Sequence, residues 1–226
     1  KDELRANLID PLDPGGYFII NGNERIMVMT EDLAPNQPFI EEGRQGLTLR
    51  LFSQRGPYRI PTTISGTSEG ILELSFSRLK NVPVIALLKA LGMIQESEIA
   101  KQIGAEDDCL IVNLYEFANI QSSEEALLFI AEKSGIQGTK KEILDRIKQR
   151  IDSYLLPNIG LDKNSRGEKA LTLCKFLKQY LKAKYDETLR TDKDHYANKR
   201  VKLAGELLAE LFRVNMNILV KDIQYT

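Results

Sequence analysis

The chain has 226 residues, with 31 basic and 32 acidic side chains and a net charge of -1 at pH 7. A chain of this length can bury a hydrophobic core, and it contains no apolar run close to the roughly 20 residues that a membrane helix needs. The balanced charge argues against a protein that mainly binds nucleic acid through a large excess of Lys and Arg, so any contact with DNA has to be local.

The first predicted elements are two β-strands joined by a tight turn. The turn signal Asp-Pro-Gly-Gly at 13–16 precedes the apolar run Tyr17–Ile20, and a second run, Arg25–Met29, follows Asn21 and Gly22. Asn and Gly tolerate the positive φ that a type I′ turn requires at both central positions, so the pattern predicts a hairpin. Because both runs are almost continuously apolar, we expect other protein to cover the hairpin.

The pattern then changes from strands to helices. Alternating apolar residues between Leu47 and Ser77, with turn signals at 56–57 and 65–70, predict a small antiparallel sheet. Helical periodicity follows over 84–91, with Gly92 as the stop, then in two helices after the capping residues Ser122 and Thr139, and again over 170–185 and 201–223. We therefore predict an α+β fold: a hairpin and a small antiparallel sheet, followed by a mainly helical half with a long C-terminal helix.

The two ends of the chain suggest a piece of a larger protein. The polar residues 1–7 begin as though within a helix and without an initiator Met, and we interpret the chain as a fragment. The last predicted helix, 201–223, is apolar on most of its circumference, which indicates burial by a surface larger than this chain provides.

Residue patterns for catalysis or metal binding are weak. The only histidine is His195, and with Asp192 and Asp194 it could form part of a metal site. Such a site would still lack ligands, so the alternative is a structural turn ahead of a helix. The chain has no Gly-rich phosphate loop and no serine nucleophile motif, and Cys109 and Cys174 are predicted to be buried free thiols. We therefore expect no catalytic residue and no cofactor in this chain.

The basic residues are unevenly distributed. Between Lys163 and Lys202 there are twelve Lys or Arg and five Asp or Glu, with Tyr180, Tyr185 and Tyr196 among them. A basic stretch that contains aromatic residues could face a phosphate backbone. Alternatively, these cations lie on the solvated faces of amphipathic helices. The sequence alone leaves both interpretations open.

Two long motifs resemble one known family. The stretch Asp13–Arg25 closely resembles the hairpin that joins the protrusion to the lobe in the second-largest subunit of archaeal and eukaryotic RNA polymerases. The stretch Asp192–Gly205, with Leu211–Arg213, resembles the motif with which the chain returns from the lobe to the protrusion. The segments Gly56–Pro61 and Pro83–Gly92 are similar to archaeal lobe sequences, so the resemblance covers essentially the whole chain.

The resemblance implies a domain organisation and a function. Residues 1–35 would be the end of the protrusion and the hairpin, 36–190 the lobe, and 191–226 the return segment and a helix of the protrusion. In this family the lobe forms one wall of the DNA cleft. The whole enzyme is a nucleotidyltransferase that synthesises RNA from NTPs on a DNA template, with Mg²⁺ bound mainly by the largest subunit. We expect this fragment alone to be inactive.

The resemblance also implies partners and a location. The partners would be the largest subunit and the rest of a cytoplasmic polymerase, DNA, and a zinc-ribbon cleavage factor or small subunit at the lobe, without any membrane. The candidate residues for contact with DNA or an adjacent subunit are Lys193, Lys199, Arg200 and Lys202. The alternative hypothesis is a purely structural domain that packs against other subunits and does not touch DNA.

Overall fold

The computed structural model describes residues 12–43, 46–56, 58–104 and 107–225. Within these ranges the chain combines antiparallel strands with helices, which confirms the predicted α+β fold. The described residues divide into a larger unit, Leu33–Lys199, and a smaller unit made of 12–32 and 200–225. The smaller unit therefore joins two segments that are far apart in the sequence.

The strands are numbered along the chain as β1 (Phe18–Ile20), β2 (Asn23–Arg25), β3 (Thr30–Leu33), β4 (Pro38–Gly43), β5 (Gly46–Arg55), β6 (Tyr58–Gly66), β7 (Leu72–Phe76), β8 (Leu79–Pro83) and β9 (Lys199–Lys202). The helices are α1 (Val84–Ala90), α2 (Glu96–Ile103), α3 (Asp108–Glu116), α4 (Ser123–Lys133), α5 (Lys140–Tyr154), α6 (Arg166–Tyr185) and α7 (Ala204–Tyr225). Strands β4 to β8 form one antiparallel sheet in sequence order, while β1 pairs with β2, and β3 with β9.

The alternation of apolar residues accounts for the centre of the large sheet. Leu49 on β5 lies opposite Ile64 on β6, which in turn lies opposite Leu74 on β7, and all three are fully buried. Successive side chains of a strand point to opposite faces, so this register places one apolar row on the core side. The sequence predicted these three strands. It did not predict the flanking strands β4 and β8, which are short and contain Pro38 and Pro83 at one end.

Helices cover the buried face of this sheet. All seven residues of α1 are buried, and α1 packs against β7, β8 and α4. Helix α4 packs against α5, and α6 packs against α2, β4 and β5. The apolar face of α5 reaches the core through Ile147 and Ile151. The larger unit thus has a single core between the sheet and its helices.

Local signals set most helix ends. Gly92 adopts φ +109° just after α1 and ends it, as predicted. The capping box of Thr139 and Glu142 is present at the start of α5. At α4 only half of the predicted box forms, because the Ser122 hydroxyl accepts from the Glu125 amide at 3.1 Å, whereas the Glu125 carboxylate accepts from the amide of Gln121.

Three predicted boundaries were wrong. The second hairpin strand is Asn23–Arg25 and excludes Ile26–Met29, and the next strand, β3, pairs with β9. Val201 belongs to β9, so the last helix begins at Ala204. Helix α6 begins at Arg166 instead of Ala170, directly after a 3₁₀ turn at Lys163–Ser165. The error at Val201 arises because local periodicity cannot detect a strand whose partner is distant in the sequence.

The hairpin of the smaller unit has the predicted turn. Asn21 and Gly22 have φ of +52° and +77°, as a type I′ turn requires. Ahead of it, the Asp13 carboxylate accepts hydrogen bonds from the Tyr17 hydroxyl at 2.6 Å and the Gly15 amide at 2.8 Å, and these bonds lower the pKa of that carboxyl. The hairpin is not covered by the described residues, since Ile19 is 70% exposed.

The two cysteines differ in burial. Cys174 is buried in the core, where desolvation raises the pKa of its thiol to about 11. Cys109 is only partly buried, with its sulfur 3.1 Å from the Gly70 carbonyl oxygen. Both are free, so the prediction of buried free thiols is confirmed for Cys174 and wrong about the burial of Cys109. Nowhere in the described ranges is a helix long and apolar enough to span a membrane.

Candidate interaction surfaces

The segment that leads to the predicted basic residues is fixed to the start of the larger unit. The Thr191 amide donates to the Ile40 carbonyl at 2.8 Å, and the Thr191 hydroxyl accepts from the Ile40 amide at 3.2 Å. Further along, the Asn198 carbonyl accepts from the Ala34 amide, and its side-chain oxygen accepts from Gln37, both at 2.8 Å. These bonds hold the segment in one conformation.

His195 has a structural role in this segment. Its Nδ1 accepts a hydrogen bond from the Ala197 amide at 3.1 Å and caps the 3₁₀ turn Tyr196–Asn198. The Asp192 carboxylate accepts from the Asp194 amide at 2.8 Å, in the manner of an Asx turn. These atoms are used in backbone turns, which favours the structural interpretation over a metal site. Among the described residues, no three His, Cys, Asp or Glu side chains come together to hold a metal ion.

The four predicted contact residues are not equivalent. Lys193 and Arg200 are exposed. The Lys199 ammonium lies 4.0 Å from an Asp194 carboxylate oxygen and 5.9 Å from the centroid of the Tyr196 ring. Lys202 forms an ion pair of 2.9 Å with Glu210 of α7, so its charge is already neutralised. Lys199, Arg200 and Lys202 share strand β9, whereas Lys193 precedes it.

Several other cations of the basic stretch have structural partners. Arg166 binds both carboxylate oxygens of Asp152, at 2.7 and 2.5 Å. The buried Lys169 donates to the carbonyls of Ile151 and Asp152, at 3.3 and 2.7 Å, and so satisfies the C-terminal end of α5. Arg190 forms ion pairs with two acidic side chains, Glu42 and Glu187. The surplus of positive charge available for a phosphate backbone is thus smaller than the sequence suggests.

The buried ammonium of Lys169 predicts a pH effect on stability. Burial lowers its pKa from 10.5 to about 8. The folded state then binds the proton less well than the unfolded state, so the energetic penalty of the charge exists below about pH 8 and disappears as the pH rises toward 10.5. We expect the free energy of unfolding of the wild type, relative to Lys169→Met, to increase by roughly 1–3 kcal/mol across this window.

Urea unfolding of both proteins, followed by circular dichroism, measures that difference at each pH. Titration of other groups, including Cys174, occurs in both proteins and cancels. A difference that stays constant with pH would show that Lys169 does not lose its proton in the folded state within this range.

Two apolar surfaces of the smaller unit are exposed. The hairpin exposes Phe18, Ile19 and Ile20, and the residues after it expose Ile26, Val28 and Met29. Helix α7 exposes a row of large apolar side chains, each between 39% and 67% exposed: Leu208, Leu211, Phe212, Val214, Met216, Ile218, Leu219, Val220 and Ile223. Exposed apolar side chains in this number are typical of surfaces that contact other protein.

A third surface was not predicted from the sequence. It lies at the end of the large sheet where the β5–β6 and β7–β8 turns are, and it contains two cavities of about 500 and 400 Å³ that share Tyr154 as a lining residue. We call it the arginine–tyrosine surface, after Arg55, Tyr58, Arg78, Arg150 and Tyr154. These residues come from three separate parts of the chain, and no local motif joins them.

The fold and these surfaces define an α+β module whose smaller unit leaves large apolar side chains exposed. Comparison with known proteins identifies its family: the family model described as RNA polymerase beta subunit matches residues 1–226. The chain therefore belongs to the family of RNA polymerase beta subunits, which confirms the resemblance found in the sequence.

Curated relatives agree with this assignment. The chain is 35% identical over 224 residues to DNA-directed RNA polymerase subunit Rpo2 of Saccharolobus shibatae, covering 96% of this chain and 20% of that protein. It is 36% identical to subunit Rpo2N of Halobacterium salinarum, over 96% of this chain and 43% of the relative. The chain is also 36% identical to subunit Rpo2N of Methanocaldococcus jannaschii, and the match covers 100% of this chain and 47% of that relative. The chain thus spans between a fifth and a half of these relatives.

Proposed function

We propose that the chain is a non-catalytic part of a cytoplasmic, archaeal-type DNA-directed RNA polymerase, and that its larger unit is the lobe wall of the DNA cleft. Residues 36–190 would form the lobe, while 1–35 and 191–226 would belong to the protrusion. The observation that carries the proposal is the family match along residues 1–226. The division of the described residues into a continuous larger unit and a smaller unit built from both ends is compatible with such an organisation.

In this proposal the reaction belongs to the assembled enzyme. The relatives carry the name of DNA-directed RNA polymerase subunits, and this chain is a minor part of each. The complete polymerase would join NTPs on a DNA template, with Mg²⁺ bound mainly by the largest subunit, and this chain alone would have no activity. Its partners would be the largest subunit and the rest of the polymerase, together with a zinc-ribbon factor or small subunit on the lobe.

Contact with DNA would come from exposed cations next to the cleft. We expect weak binding of duplex DNA by the isolated chain, with Lys193 and Arg200 contributing most because both are exposed. Lys202 should contribute least, since its ion pair with Glu210 would have to break. Each phosphate that is neutralised releases a counterion, so affinity should fall steeply as the salt concentration rises.

Charge reversal tests this contact. In the double variant Lys193→Glu with Arg200→Glu, the slope of log affinity against log salt should decrease by roughly 2, one for each lost phosphate contact. Fluorescence anisotropy of a labelled duplex measures the slope. The matched control is Lys140→Glu with Lys141→Glu, two exposed lysines at the start of α5. Equal losses in both double variants would mean that only the total charge matters.

The alternative is a purely structural domain that packs against other subunits without touching DNA. The bonds that fix residues 191–198, together with the Lys202–Glu210 ion pair, favour it, because they assign structural roles to part of the basic stretch. Under this alternative the reversal of Lys193 and Arg200 would leave both DNA binding and transcription by the reconstituted polymerase unchanged.

A further inference from the structure

The topology of the large sheet brings residues of the arginine–tyrosine surface together from separate parts of the chain. Arg55 and Tyr58 are the paired residues that close the β5–β6 hairpin, and Arg78 lies in the turn between β7 and β8. Because β6 and β7 are neighbours in an antiparallel sheet, these two turns lie side by side at the same end. Arg150 and Tyr154 are four residues apart on α5 and therefore on one face of that helix.

The charged side chains that line the two cavities are arginines. Arg55 and Arg78 are exposed and Arg150 is half-buried, and none of the three guanidinium groups has a hydrogen-bond or ion-pair partner among the described residues. No Asp or Glu is among the described residues that line either cavity. Other arginines in the described part of the larger unit are paired within the chain, as Arg166 is with Asp152 and Arg190 with Glu42, although the exposed Arg50 is not. The three free guanidinium groups thus provide fork-shaped donors for carboxylates that the chain itself does not supply.

The larger cavity adds an apolar component. Tyr58, Tyr154 and Leu161 line it and are 62%, 43% and 43% exposed, and Pro157 lines it as well. Tyrosine and arginine are enriched at the centres of protein interfaces because they combine a large contact area with hydrogen-bonding groups. A cavity of about 500 Å³ is large enough to accept an aromatic or large aliphatic side chain.

The cavity wall is held in place by the core. The Ser53 hydroxyl, buried on β5, donates to the Asn158 side chain at 2.5 Å and accepts from the Asn158 amide at 3.2 Å. These bonds tie the segment after α5 to the sheet. Next to it, the fully buried Leu156 has φ +45°, an unusual conformation for a leucine, which the surrounding packing must maintain. A surface that is already ordered binds at a lower entropic cost.

We propose that the arginine–tyrosine surface is a docking site for an acidic segment of a protein partner. Carboxylates of the segment pair with Arg55, Arg78 and Arg150, and one of its large apolar side chains enters the cavity between Tyr58 and Tyr154. Protein is favoured over nucleic acid because Pro157 and Leu161 line the larger cavity, and this lining suits an apolar side chain better than a phosphate backbone.

Selection from a random peptide library tests the proposal with the full 226-residue chain. Peptides of about 12 residues, a length of the kind that occupies a surface groove, are displayed on phage. They are selected on the wild type after depletion on the triple variant Arg55→Gln, Arg78→Gln and Arg150→Gln. We expect the selected pool to be rich in Asp and Glu around an aromatic or large aliphatic residue. Individual peptides should bind the triple variant at least about tenfold more weakly, since hydrogen bonds to charged groups contribute strongly.

A matched control separates specific pairing from total charge. Arg50→Gln with Lys140→Gln and Lys141→Gln removes three exposed cations from β5 and α5, away from the cavities, and should leave peptide affinity within about twofold. The melting temperatures of all variants show whether they are folded, which matters most for Arg150 because its side chain is half-buried. Tyr154→Ala is a second test of the cavity, and it should weaken the same peptides while keeping all three arginines.

Four results would overturn the proposal. The first two are a selected pool without acidic enrichment and peptides that bind the triple variant and the control equally. The third is an oligothymidine strand that displaces the peptides and binds more tightly, and the fourth is self-association of the chain through this surface, detected by sedimentation and lost in the triple variant. The inference deepens the proposed function by naming the surface and the chemistry of one protein partner, and its test needs no polymerase. Failure of the peptide test would therefore not affect the assignment to the DNA cleft. Failure of the DNA titration would likewise not affect the peptide result.

Discussion

Replacing Leu211 and Phe212 with serine in the full-length second subunit is expected to reduce its incorporation into reconstituted polymerase at least about a hundredfold. The two side chains are 56% and 66% exposed in this chain, in the middle of the apolar row of α7. If the rest of the polymerase covers that row, each loses roughly 1.5–3 kcal/mol of burial energy, which together amounts to at least two orders of magnitude in an association constant. The measurement is the fraction of subunit that co-elutes with the largest subunit in size-exclusion chromatography.

The same two substitutions should scarcely affect the isolated 226-residue chain. Because both side chains are already exposed, its free energy of unfolding should change by less than about 0.5 kcal/mol. Asn215→Ser with Asn217→Ser on the same helix is the control, and we expect normal incorporation. A variant at 211 and 212 that assembles normally would show that α7 is not a packing surface. An isolated chain that loses stability would instead show that the helix is needed for folding.

Lys89→Met is expected to destabilise the isolated chain by roughly 2–4 kcal/mol, because it removes the donor from a buried site and leaves its acceptors without a partner. Lys89 is 1% exposed, and its ammonium donates to the carbonyls of Phe117 and Ile120 at 2.7 and 3.0 Å. It also pairs with Glu96 at 3.1 Å. The ammonium thus joins α1 to the segment after α3 and to the start of α2.

The contrast with a surface pair makes this prediction specific. Lys133 forms an ion pair of 2.9 Å with Glu73, but the lysine side chain is 37% exposed. Glu73 is only 16% exposed, so Lys133→Met leaves a partly buried carboxylate without its partner and should cost roughly 1–2 kcal/mol, less than Lys89→Met. Urea unfolding of the two variants and the wild type measures both values. Similar values for Lys89→Met and Lys133→Met would mean that the buried lysine is dispensable for the core.

The predictions concern different parts of the proposal. Incorporation of the Leu211 and Phe212 variant tests whether the smaller unit packs in an assembly. The DNA titration tests Lys193 and Arg200, and the peptide selection tests the arginine–tyrosine surface of the larger unit. The purely structural alternative predicts that the Leu211 and Phe212 variant loses incorporation. It also predicts that reversal of Lys193 and Arg200 leaves DNA binding unchanged.

Much of the local structure could be predicted from the sequence because it depends on residues that are close along the chain. Asn21 and Gly22 adopt the positive φ values of the predicted turn, and Thr139 and Glu142 form the predicted capping box. The alternation over β5, β6 and β7 predicted their pairing. The family was also recognisable from residues 13–25 and 192–205, and the family model confirmed it.

The site residues were harder to predict, because charge counted along a sequence does not show which cations are already paired. Lys202 is bound to Glu210, and Lys169 is buried at the end of α5. His195, which suggested a metal ligand, accepts a backbone hydrogen bond at its Nδ1. The role of Lys193, Lys199, Arg200 and Lys202 in DNA or subunit contact stays a prediction.

Turns, caps and periodicity act within a few residues, and they were enough to predict the α+β class, the central strands, five of the seven described helices and the family. They did not predict helices α2 and α3. The pairing of β3 with β9, which is separated from it by most of the chain, and the strand conformation of Val201 depend on tertiary contacts. The tertiary structure also decided that Lys89 is buried and that Arg55, Arg78 and Arg150 meet around Tyr154. Such contacts join residues distant in sequence, and their energies come from packing and burial that no local pattern encodes.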